Sequence, residues 1–325
     1  MELIRVEHSS KKYKEWARIE WNIGKRCNFD CSYCGADLHD NKSKHLPLER
    51  FEYTIKTLRE FYSDKKIRMS LTGGEPFVHP QILDILRLFP KYGVDEVSTI
   101  SNGSVTLEKY QQALELIDNL IFSWHFEHLR IDHMKHVLSN LNRKQVKVHL
   151  MYLPGRLQEI KEVVSWLQDN DVKYNVRRIR PMTNKLGEFN PPGASGMTFE
   201  GVQFGGAEGY YSDEELEYLD SFNKAGTADM NCELFTQDKS WLDNVNTLTK
   251  NKLNSFKGWQ CMAGIETLMI DNDGSVYRAT CKQGGILGNV ETGFTLEADP
   301  INCAKQWCNC AADLNTTKWL EIDNV

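Results

Sequence analysis

The nine cysteines of this 325-residue chain fall into two groups that are far apart in the sequence. Three lie within eight residues near the start, five lie within the last 65 residues, and Cys232 stands between the groups. The count is odd, and the charged start Met1–His8 lacks the apolar stretch of a secretion signal, so a disulfide framework is a poor interpretation. Thiols grouped in this way are typical of metal ligands in a reducing compartment. The fold therefore has to build metal sites from two distant segments.

Composition sets the remaining limits. Apolar residues make up 41% and charged residues 26%, so the chain can bury a core, and its length predicts one large and one small domain. No run approaches the roughly 18 apolar residues of a membrane span. The formal charge of −6, with no long block of Lys and Arg, gives no basis for general nucleic-acid binding. We expect a cytoplasmic protein that does not bind membranes.

Short apolar runs alternate with helical patterns over about residues 18–180. Six runs of this kind alternating with helices predict a parallel sheet in an α/β fold. Because a full TIM barrel has eight such units, we expect a partial (β/α)6 TIM-like barrel, with an open doubly wound sheet as the alternative. The predicted strands are Arg18–Ile23, Ile67–Leu71, Glu96–Ser101, Leu120–Phe126, Val146–Tyr152 and Tyr174–Ile179, and the helical patterns are Leu48–Tyr62, Thr106–Asn119, Arg130–Asn142 and Arg156–Asn170.

The pattern breaks after this region, which we assign to a barrel domain over residues 1–190. Residues 191–258 are predicted to form a bridging region. It starts with the glycine-rich loop Pro191–Gly209 and continues with a helix whose capping box is Ser212–Glu215. Residues 240–258 are polar and read as a linker.

Residues 259–325 are predicted to form a small hairpin-containing, cluster-binding subdomain. Thr267–Ile270 and Ser275–Arg278 flank Asp271–Gly274, which has the composition of a tight turn. This unit contains the five late cysteines.

Cys27, Cys31 and Cys34 directly follow the first predicted strand, with C-x3-C-x2-C spacing. A cubane iron–sulfur cluster needs four ligands, so three thiolates from one loop leave one iron open to a substrate or cofactor. A single zinc ion is the alternative, and it would need a fourth ligand such as His39 or His45.

These residues resemble the signature of the radical S-adenosylmethionine (SAM) enzymes, which is C-x3-C-x-aromatic-C after the first strand of a parallel barrel. Tyr33 stands at the aromatic position. Thr72–Pro76 resembles the family's GGEP motif, whose backbone receives the SAM amino group, and Ile100–Gly103 resembles the TNG-type segment after the third strand. The resemblance covers about residues 18–180. It implies a [4Fe–4S] cluster on the three cysteines and a SAM site that includes Tyr33, Gly73, Gly74, Glu75, Ser101 and Asn102.

The resemblance also implies the chemistry. The open iron would chelate the amino and carboxylate groups of SAM, and the reduced cluster would cleave the S–C5′ bond. The resulting 5′-deoxyadenosyl radical would remove a hydrogen atom from the substrate, while the protein positions the reactants and excludes water. A flavodoxin- or ferredoxin-type reductant is the implied partner.

Polar residues follow the fourth and sixth predicted strands. His125 and Glu127 are two residues apart, so both face the same side of an extended segment, and in the family this region commonly contacts SAM or substrate. A solvated surface loop is the alternative. Arg177, Arg178 and Arg180 are candidates for binding a carboxylate or phosphate, with a solvated charge run as the alternative.

The late cysteines resemble the radical SAM twitch subdomain, the short relative of the SPASM extension, which holds one auxiliary [4Fe–4S] cluster. Cys261 precedes the predicted hairpin and Cys281 follows it. The final C-x4-C-x-C spacing of Cys303, Cys308 and Cys310 departs from the expected pattern, so one thiol is predicted to be spare, and Cys303 is our choice. A structural zinc site is the alternative. Cys232 is either a hydrogen-atom donor to a substrate radical or a small buried hydrophobe.

The resemblance leaves the substrate open. We expect oxidation or rearrangement of a small polar metabolite of sugar or nucleotide type, with the auxiliary cluster as electron acceptor or substrate anchor. The alternative is crosslinking or epimerisation of a ribosomally made peptide. Only about 17 residues precede the first predicted strand, which weighs against a fused leader-peptide-binding domain. A non-catalytic iron–sulfur or zinc scaffold is the hypothesis from a different class.

Overall fold

A computed structural model describes residues 2–34, 38–179, 211–222, 231–308 and 310–321. The predicted loop Pro191–Gly209 and Arg180 lie outside these residues.

The described part of the N-terminal half contains seven strands, β1 to β7, and six helices, α1 to α6. The strands are β1 Arg5–His8, β2 Trp16–Asn22, β3 Lys66–Thr72, β4 Glu96–Ser101, β5 Asn119–His125, β6 Val146–Tyr152 and β7 Lys173–Arg178. The helices are α1 Lys11–Lys14, α2 Leu48–Phe61, α3 Ile82–Lys91, α4 Leu107–Leu114, α5 Ile131–Ser139 and α6 Leu157–Asp169. The helix α3 is absent from the sequence prediction, although Ile82, Ile85 and Leu86 give it an apolar face.

Strands β2 to β7 form one parallel sheet in which each strand pairs with the next one along the chain. Right-handed crossovers between sequential strands all place their helices on the same side of the sheet. The order of a doubly wound sheet reverses at a switch point, and no reversal occurs among these six strands. The fold is therefore the predicted partial TIM-like barrel, and the doubly wound alternative is wrong.

One face of this sheet is apolar and packs on the helices. In β5, Leu120, Phe122 and Trp124 are fully buried, and α2 covers the same core with Phe51, Ile55 and Leu58. Burying each side chain of this size stabilises the fold by about 1.5–3 kcal/mol. Because side chains alternate along a strand, the remaining positions of β5 point to the opposite, inner face of the sheet. That face is available for a binding site.

The C-terminal hairpin extends the barrel sheet. It consists of β11 (Thr267–Ile270) and β12 (Ser275–Tyr277), and the predicted turn at Asp271–Gly274 joins them. Gly274 has a φ of +81°, and its N–H donates to the carbonyl of Asp271 at 2.9 Å. Strand β11 pairs in parallel with β2, from Thr267 opposite Arg18 to Ile270 opposite Trp21. Two more antiparallel strands, β13 (Ile286–Asn289) and β14 (Gly293–Phe294), complete this edge.

A second, antiparallel sheet joins the two ends of the described chain. Its strand order is β15-β10-β16-β1-β8-β9, where β8 is Asn231–Phe235, β9 is Ser240–Asn244, β10 is Gln260–Cys261, β15 is Ile301–Asn302 and β16 is Lys318–Trp319. The predicted linker is wrong in its first half, because β9 and the helix α8 (Val245–Lys250) occupy residues 240–250. The domain boundaries at residues 190 and 258 stay predictions.

The predicted capping box is present at the start of α7 (Asp213–Phe222). The Glu215 N–H donates to Ser212 Oγ at 3.3 Å, and the Glu215 carboxylate accepts from the Ser212 N–H at 2.8 Å. The same carboxylate accepts from the Tyr152 hydroxyl at 2.7 Å, which ties α7 to strand β6. None of the helices in the described ranges combines the length and the apolar character that a bilayer crossing requires.

Candidate active site

The loop that carries Cys27, Cys31 and Cys34, which we call the cysteine loop, is held at the carboxyl end of β3 by backbone hydrogen bonds. The Gly74 N–H donates to the carbonyl of Gly24 at 2.8 Å, and the Glu75 N–H donates to the carbonyl of Arg26 at 2.8 Å. A Cβ on Gly74 would lie 2.3 Å from the Arg26 carbonyl oxygen, and one on Gly73 would lie 2.6 Å from that of Gly24. Glycine at both positions is therefore needed for the loop to approach the strand this closely. Their predicted contact with the SAM amino group stays a prediction.

Glu75 turns its carboxylate into the protein and ties together the ends of β3 and β4. The carboxylate is 3% exposed and accepts from Ser101 Oγ at 2.9 Å, from the Asn102 N–H at 2.5 Å and from the Phe77 N–H at 2.9 Å. Burial raises the pKa of Glu75 to about 7. Its three contacts position the segment that carries Asn102, and its predicted contact with SAM stays a prediction.

The raised pKa of Glu75 predicts a pH dependence of stability. An acid whose pKa is about 7 when folded and near 4.5 when unfolded binds more protons in the folded state, so stability falls as pH rises between these values. Relative to Glu75→Gln, the wild-type protein should lose about 3 kcal/mol of unfolding free energy between pH 4.5 and 7. Urea unfolding of both metal-free, reduced proteins across this range measures the difference. Parallel pH profiles would show that Glu75 is ionised in the folded protein.

Asn102 connects the end of β4 to the cysteine loop. Its amide nitrogen donates to Asn28 Oδ1 at 2.8 Å and lies 3.8 Å from Cys27 Sγ. Asn28 in turn donates to Ser104 Oγ at 2.9 Å. The sequence prediction included Asn102 but not Asn28 or Ser104, which bear no motif of their own.

His125 and Glu127 contact the same loop from the end of β5. His125 Nδ1 lies 2.6 Å from the Tyr33 hydroxyl, and the two rings are nearly parallel. Burial lowers the pKa of His125 to about 4, so the imidazole is neutral at pH 7. Glu127 accepts from the Ser32 N–H at 2.8 Å and from Ser32 Oγ at 2.5 Å. These residues support the cysteine loop, which a solvated surface loop would not do. Their roles toward SAM stay predictions.

The arrangement of potential ligands distinguishes a cluster from a single ion. A tetrahedral zinc ion with Zn–S distances of about 2.3 Å would bring its sulfur atoms within about 4 Å of one another. Among the described residues, no three cysteine sulfurs lie within 4.8 Å of one another, and the group that does meet this limit is Cys31, Glu127 and His128. His39 contacts Asp30 at 3.0 Å, and the His45 ring lies 4.6 Å from that of His79. A cluster spreads its thiolates over several irons, so the three cysteines fit a [4Fe–4S] group better than zinc.

Four of the five C-terminal cysteines line a small pocket of about 20 Å³. Asp313 and Lys318 share the lining with four cysteines, which are Cys261, Cys281, Cys303 and Cys308. Cys310 immediately precedes the short helix α9 (Ala311–Leu314), and the Cys281 N–H donates to Asp313 Oδ2 at 2.7 Å. All five late cysteines are unpaired. We call this site the thiol pocket. Among the described residues, no three of these sulfur atoms lie within 4.8 Å of one another, which is too wide for a single tetrahedral zinc ion. The choice of Cys303 as the spare thiol stays a prediction.

A cavity of about 340 Å³ with many polar lining residues lies on the inner face of the barrel sheet. Burial, and then the charges of Arg177 and Lys147, lower the pKa of His149 to about 3, so this ring is neutral. Residues of the C-terminal unit close one wall, and Asp313 belongs to both this cavity and the thiol pocket. The polar and charged lining residues are Arg18, Glu20, Arg68, Ser70, Lys147, His149, Arg177, Thr267, Thr280 and Asp313.

Two residues that line this cavity also have a fully buried side-chain atom without a hydrogen-bond partner among the described residues, namely Arg18 Nε and Asp313 Oδ1. The terminal nitrogens of Arg18 are held by Asn315 Oδ1 at 2.7 Å and Thr316 Oγ1 at 3.2 Å. An unsatisfied buried donor or acceptor costs about 1–3 kcal/mol.

The remaining predicted residues separate in the structure. Arg177 lines the cavity, whereas the Arg178 guanidinium lies over the Tyr211 ring, 5.1 Å from its centroid. Cys232 is fully buried in the core of the second sheet with Val6 and Leu234. It does not line the cavity, so the structure favours a small buried hydrophobe over a hydrogen-atom donor.

Curated relatives share part of this chain. The probable GTP 3′,8-cyclase of Sulfurisphaera tokodaii is 26% identical over 185 residues, which are 54% of this chain and 56% of the relative. That of Archaeoglobus fulgidus is 30% identical over 104 residues, which are 31% of this chain and 33% of the relative. The chain thus spans between a third and about half of the length of these relatives.

Solved structures resemble nearly the whole chain. Streptococcus suis SuiB bound to the precursor peptide SuiA has a TM-score of 0.53 at 14% identity, covering 87% of this chain and 65% of that chain. The anSMEcpe structure with bound AdoMet has a TM-score of 0.53 at 13% identity, covering 86% and 79%. Such low identities establish the fold alone. The sequence profile described as the Radical SAM superfamily matches residues 21–179, the segment that holds the cysteine loop and all six barrel strands except the start of β2. The chain therefore carries a radical SAM domain over this segment, which is just under half of its length.

Proposed function

We propose that this enzyme oxidises or rearranges a small anionic metabolite of the nucleotide type in the barrel cavity, with a second [4Fe–4S] cluster in the thiol pocket. The radical SAM domain implies one [4Fe–4S] cluster and SAM, and a small-molecule or peptide substrate. The observation that carries the finer proposal is the excess of positive charge in the cavity. Four cationic side chains line it, against the carboxylates of Glu20 and Asp313.

The cations differ in how far the protein already uses them. Arg68 forms an ion pair with Glu96 at 3.0 Å, and Arg18 donates to Asn315 and Thr316. Arg177 has no carboxylate in ion-pair contact among the described residues, and it lies near Lys147 and the neutral His149. A guanidinium with such neighbours is suited to bidentate binding of a phosphate or carboxylate. The β6–β7 side of the cavity is therefore our anion site.

The opposite wall offers a different kind of contact. Thr267, Thr280 and Asp313 line this wall, so it offers hydrogen-bond donors and acceptors to a substrate. A nucleotide has such groups on its base and sugar, together with an anionic tail. The names of the curated relatives, which are GTP 3′,8-cyclases, support the same substrate class.

The chain's own residues would bind, orient and shield the reactants. Cys27, Cys31 and Cys34 would hold the first cluster, which with SAM supplies a 5′-deoxyadenosyl radical that removes a hydrogen atom from the substrate. Glu75 fixes the segment of Asn102 behind the cysteine loop. The wall at Asp313 brings a substrate next to the thiol pocket, the placement that an electron acceptor or a substrate anchor requires. The flavodoxin- or ferredoxin-type reductant and the cytoplasmic location stay predictions.

Binding of nucleotide probes tests the anion site. Anaerobically reconstituted wild-type protein should bind GTP more tightly than guanosine, because the phosphates reach Arg177. A hydrogen bond to a charged group contributes about 1.5–3 kcal/mol, so Arg177→Met should weaken GTP binding roughly 10- to 100-fold and leave guanosine binding unchanged. Equilibrium dialysis with both probes, in the presence of SAM, measures the effect.

Arg178→Met is the matched control, because it removes the same side chain one residue away, outside the cavity. It should leave GTP binding unchanged. Equal binding of GTP and guanosine, or equal losses in the two variants, would contradict the anion site. Peptide crosslinking or epimerisation would then become the leading hypothesis.

A further inference from the structure

Lys318 is a buried cation that the proposed reaction does not use. Its side chain is 2% exposed, and its ammonium group donates to the carbonyls of Asp313 at 2.8 Å, Leu314 at 3.0 Å and Thr316 at 2.8 Å. These bonds use all three of its N–H donors on uncharged acceptors. Among the described residues, no carboxylate forms an ion pair with it. A buried charge without a counter-charge costs several kcal/mol.

Lys318 belongs to the wall of the thiol pocket. It lies directly opposite Cys261 on the neighbouring antiparallel strands β16 and β10. Side chains directly opposite each other in such a pair have Cβ atoms about 4.5–5.5 Å apart. Lys318, Cys261 and Cys308 all line the pocket.

Neutral thiols would leave the ammonium group uncompensated, whereas thiolates that hold a cluster would supply negative charge at the position that Lys318 faces. The other charged side chain of the pocket, Asp313, accepts from the Cys281 N–H at 2.7 Å and forms no ion pair with Lys318, whose three donors go to backbone carbonyls. The potential of an iron–sulfur cluster depends on its net charge and on the charges around it, and a nearby cation favours the more negative reduced state.

We propose that Lys318 is the fixed counter-charge of the cluster in the thiol pocket and raises its reduction potential, which would favour electron transfer from a substrate radical. This inference rests on the proposed second cluster. Lys318 has no N–H left to donate to a sulfur, so its effect is electrostatic and acts through space. Lys318 would place a positive charge beside the cluster and would not contact the substrate.

The experiment uses protein in which Cys27, Cys31 and Cys34 are alanine, so that only the C-terminal cluster contributes. In this background, Lys318→Gln and Lys318→Met remove the charge, and Lys318→Arg keeps it. A redox titration followed by electron paramagnetic resonance, together with iron analysis, should show a more negative midpoint potential in the two neutral variants. The Arg variant should stay close to the background protein. Lys250→Gln, on an exposed residue of α8, is the control for loss of a distant charge.

Each outcome of this experiment supports or overturns the inference about Lys318. An unchanged potential in a neutral variant that retains its iron overturns it. If both neutral variants lose iron while Lys318→Arg retains it, assembly of the cluster requires the positive charge, which supports the inference. If Lys318→Arg loses iron as well, the role is structural and the inference fails. If the background protein itself holds no iron in the C-terminal unit, the proposed second cluster is wrong. The iron analysis distinguishes this outcome from a failure of the inference about Lys318.

Discussion

Replacing Cys27, Cys31 and Cys34 together with alanine should abolish formation of 5′-deoxyadenosine from SAM and dithionite, while iron remains in the C-terminal unit. The three thiolates are the ligands that a radical SAM cluster requires, and they share one short loop. Two [4Fe–4S] clusters give about eight irons per chain, and the triple variant should retain about four. Iron and sulfide analysis with Mössbauer spectra, and chromatography of the reaction products under strictly anaerobic conditions, measure both effects.

Cys232→Ala is the matched control, because this thiol is buried in the core of the second sheet. It should retain both its iron and its activity. Equal loss of iron from the two sites in the triple variant would contradict the division into two clusters. Zinc in the C-terminal unit would make that unit structural and would turn the search toward redox-neutral rearrangements. A wild-type protein with verified clusters that forms no 5′-deoxyadenosine would favour the non-catalytic scaffold.

Gly74→Ala should have the second-largest effect, although it adds a single methyl group. The new Cβ would lie 2.3 Å from the carbonyl oxygen of Arg26 and 2.4 Å from that of Lys25, both of them backbone atoms. To relieve this steric overlap, the cysteine loop has to move away from β3. This movement breaks the hydrogen bond from the Gly74 N–H to the carbonyl of Gly24. A misplacement of about 1 Å in a catalytic site can cost about 100-fold in rate. We expect at least this loss in SAM cleavage, with reduced iron at the first cluster and retained iron at the second.

Gly155→Ala tests whether this loss is specific. Gly155 has a φ of +78° but no atom within 4 Å of the added Cβ, so alanine there brings conformational strain of about 1–2 kcal/mol without a clash. Its SAM cleavage should match that of the wild-type protein. A fully active Gly74→Ala protein would show that the loop does not need its close contact with the strand.

Local patterns predicted the barrel because each strand and helix carries its own periodicity. Glu96–Ser101 and Val146–Tyr152 were predicted with the bounds that the structure has. The second sheet has no such local pattern. Its strands β10, β15 and β16 are two residues long, and β1 meets β16 from the other end of the chain. Partners separated by this distance are chosen by tertiary packing.

Only part of the candidate site could be predicted from the sequence. The cysteine loop and its glycine partners carry a motif, so they were predicted residue by residue. The cationic cavity has no motif, although a periodic signal exists, because Arg18, Arg68 and Lys147 occupy inward-facing positions in strands whose other face is apolar. The same alternation separates Arg177 from Arg178, since neighbours in a strand point to opposite faces. The contacts of Lys318 depend on the second sheet and could not be predicted.

The parallel pairing of β11 with β2 affects how this protein is made. Strand β2 receives one of its two neighbours from β3 and the other from Thr267–Ile270. During translation, the β2 edge therefore stays without its second partner until more than three quarters of the chain has left the ribosome. An open strand edge is a site for wrong pairing. The cysteine loop that follows β2 is therefore synthesised well before the sheet around it can be completed by Thr267–Ile270.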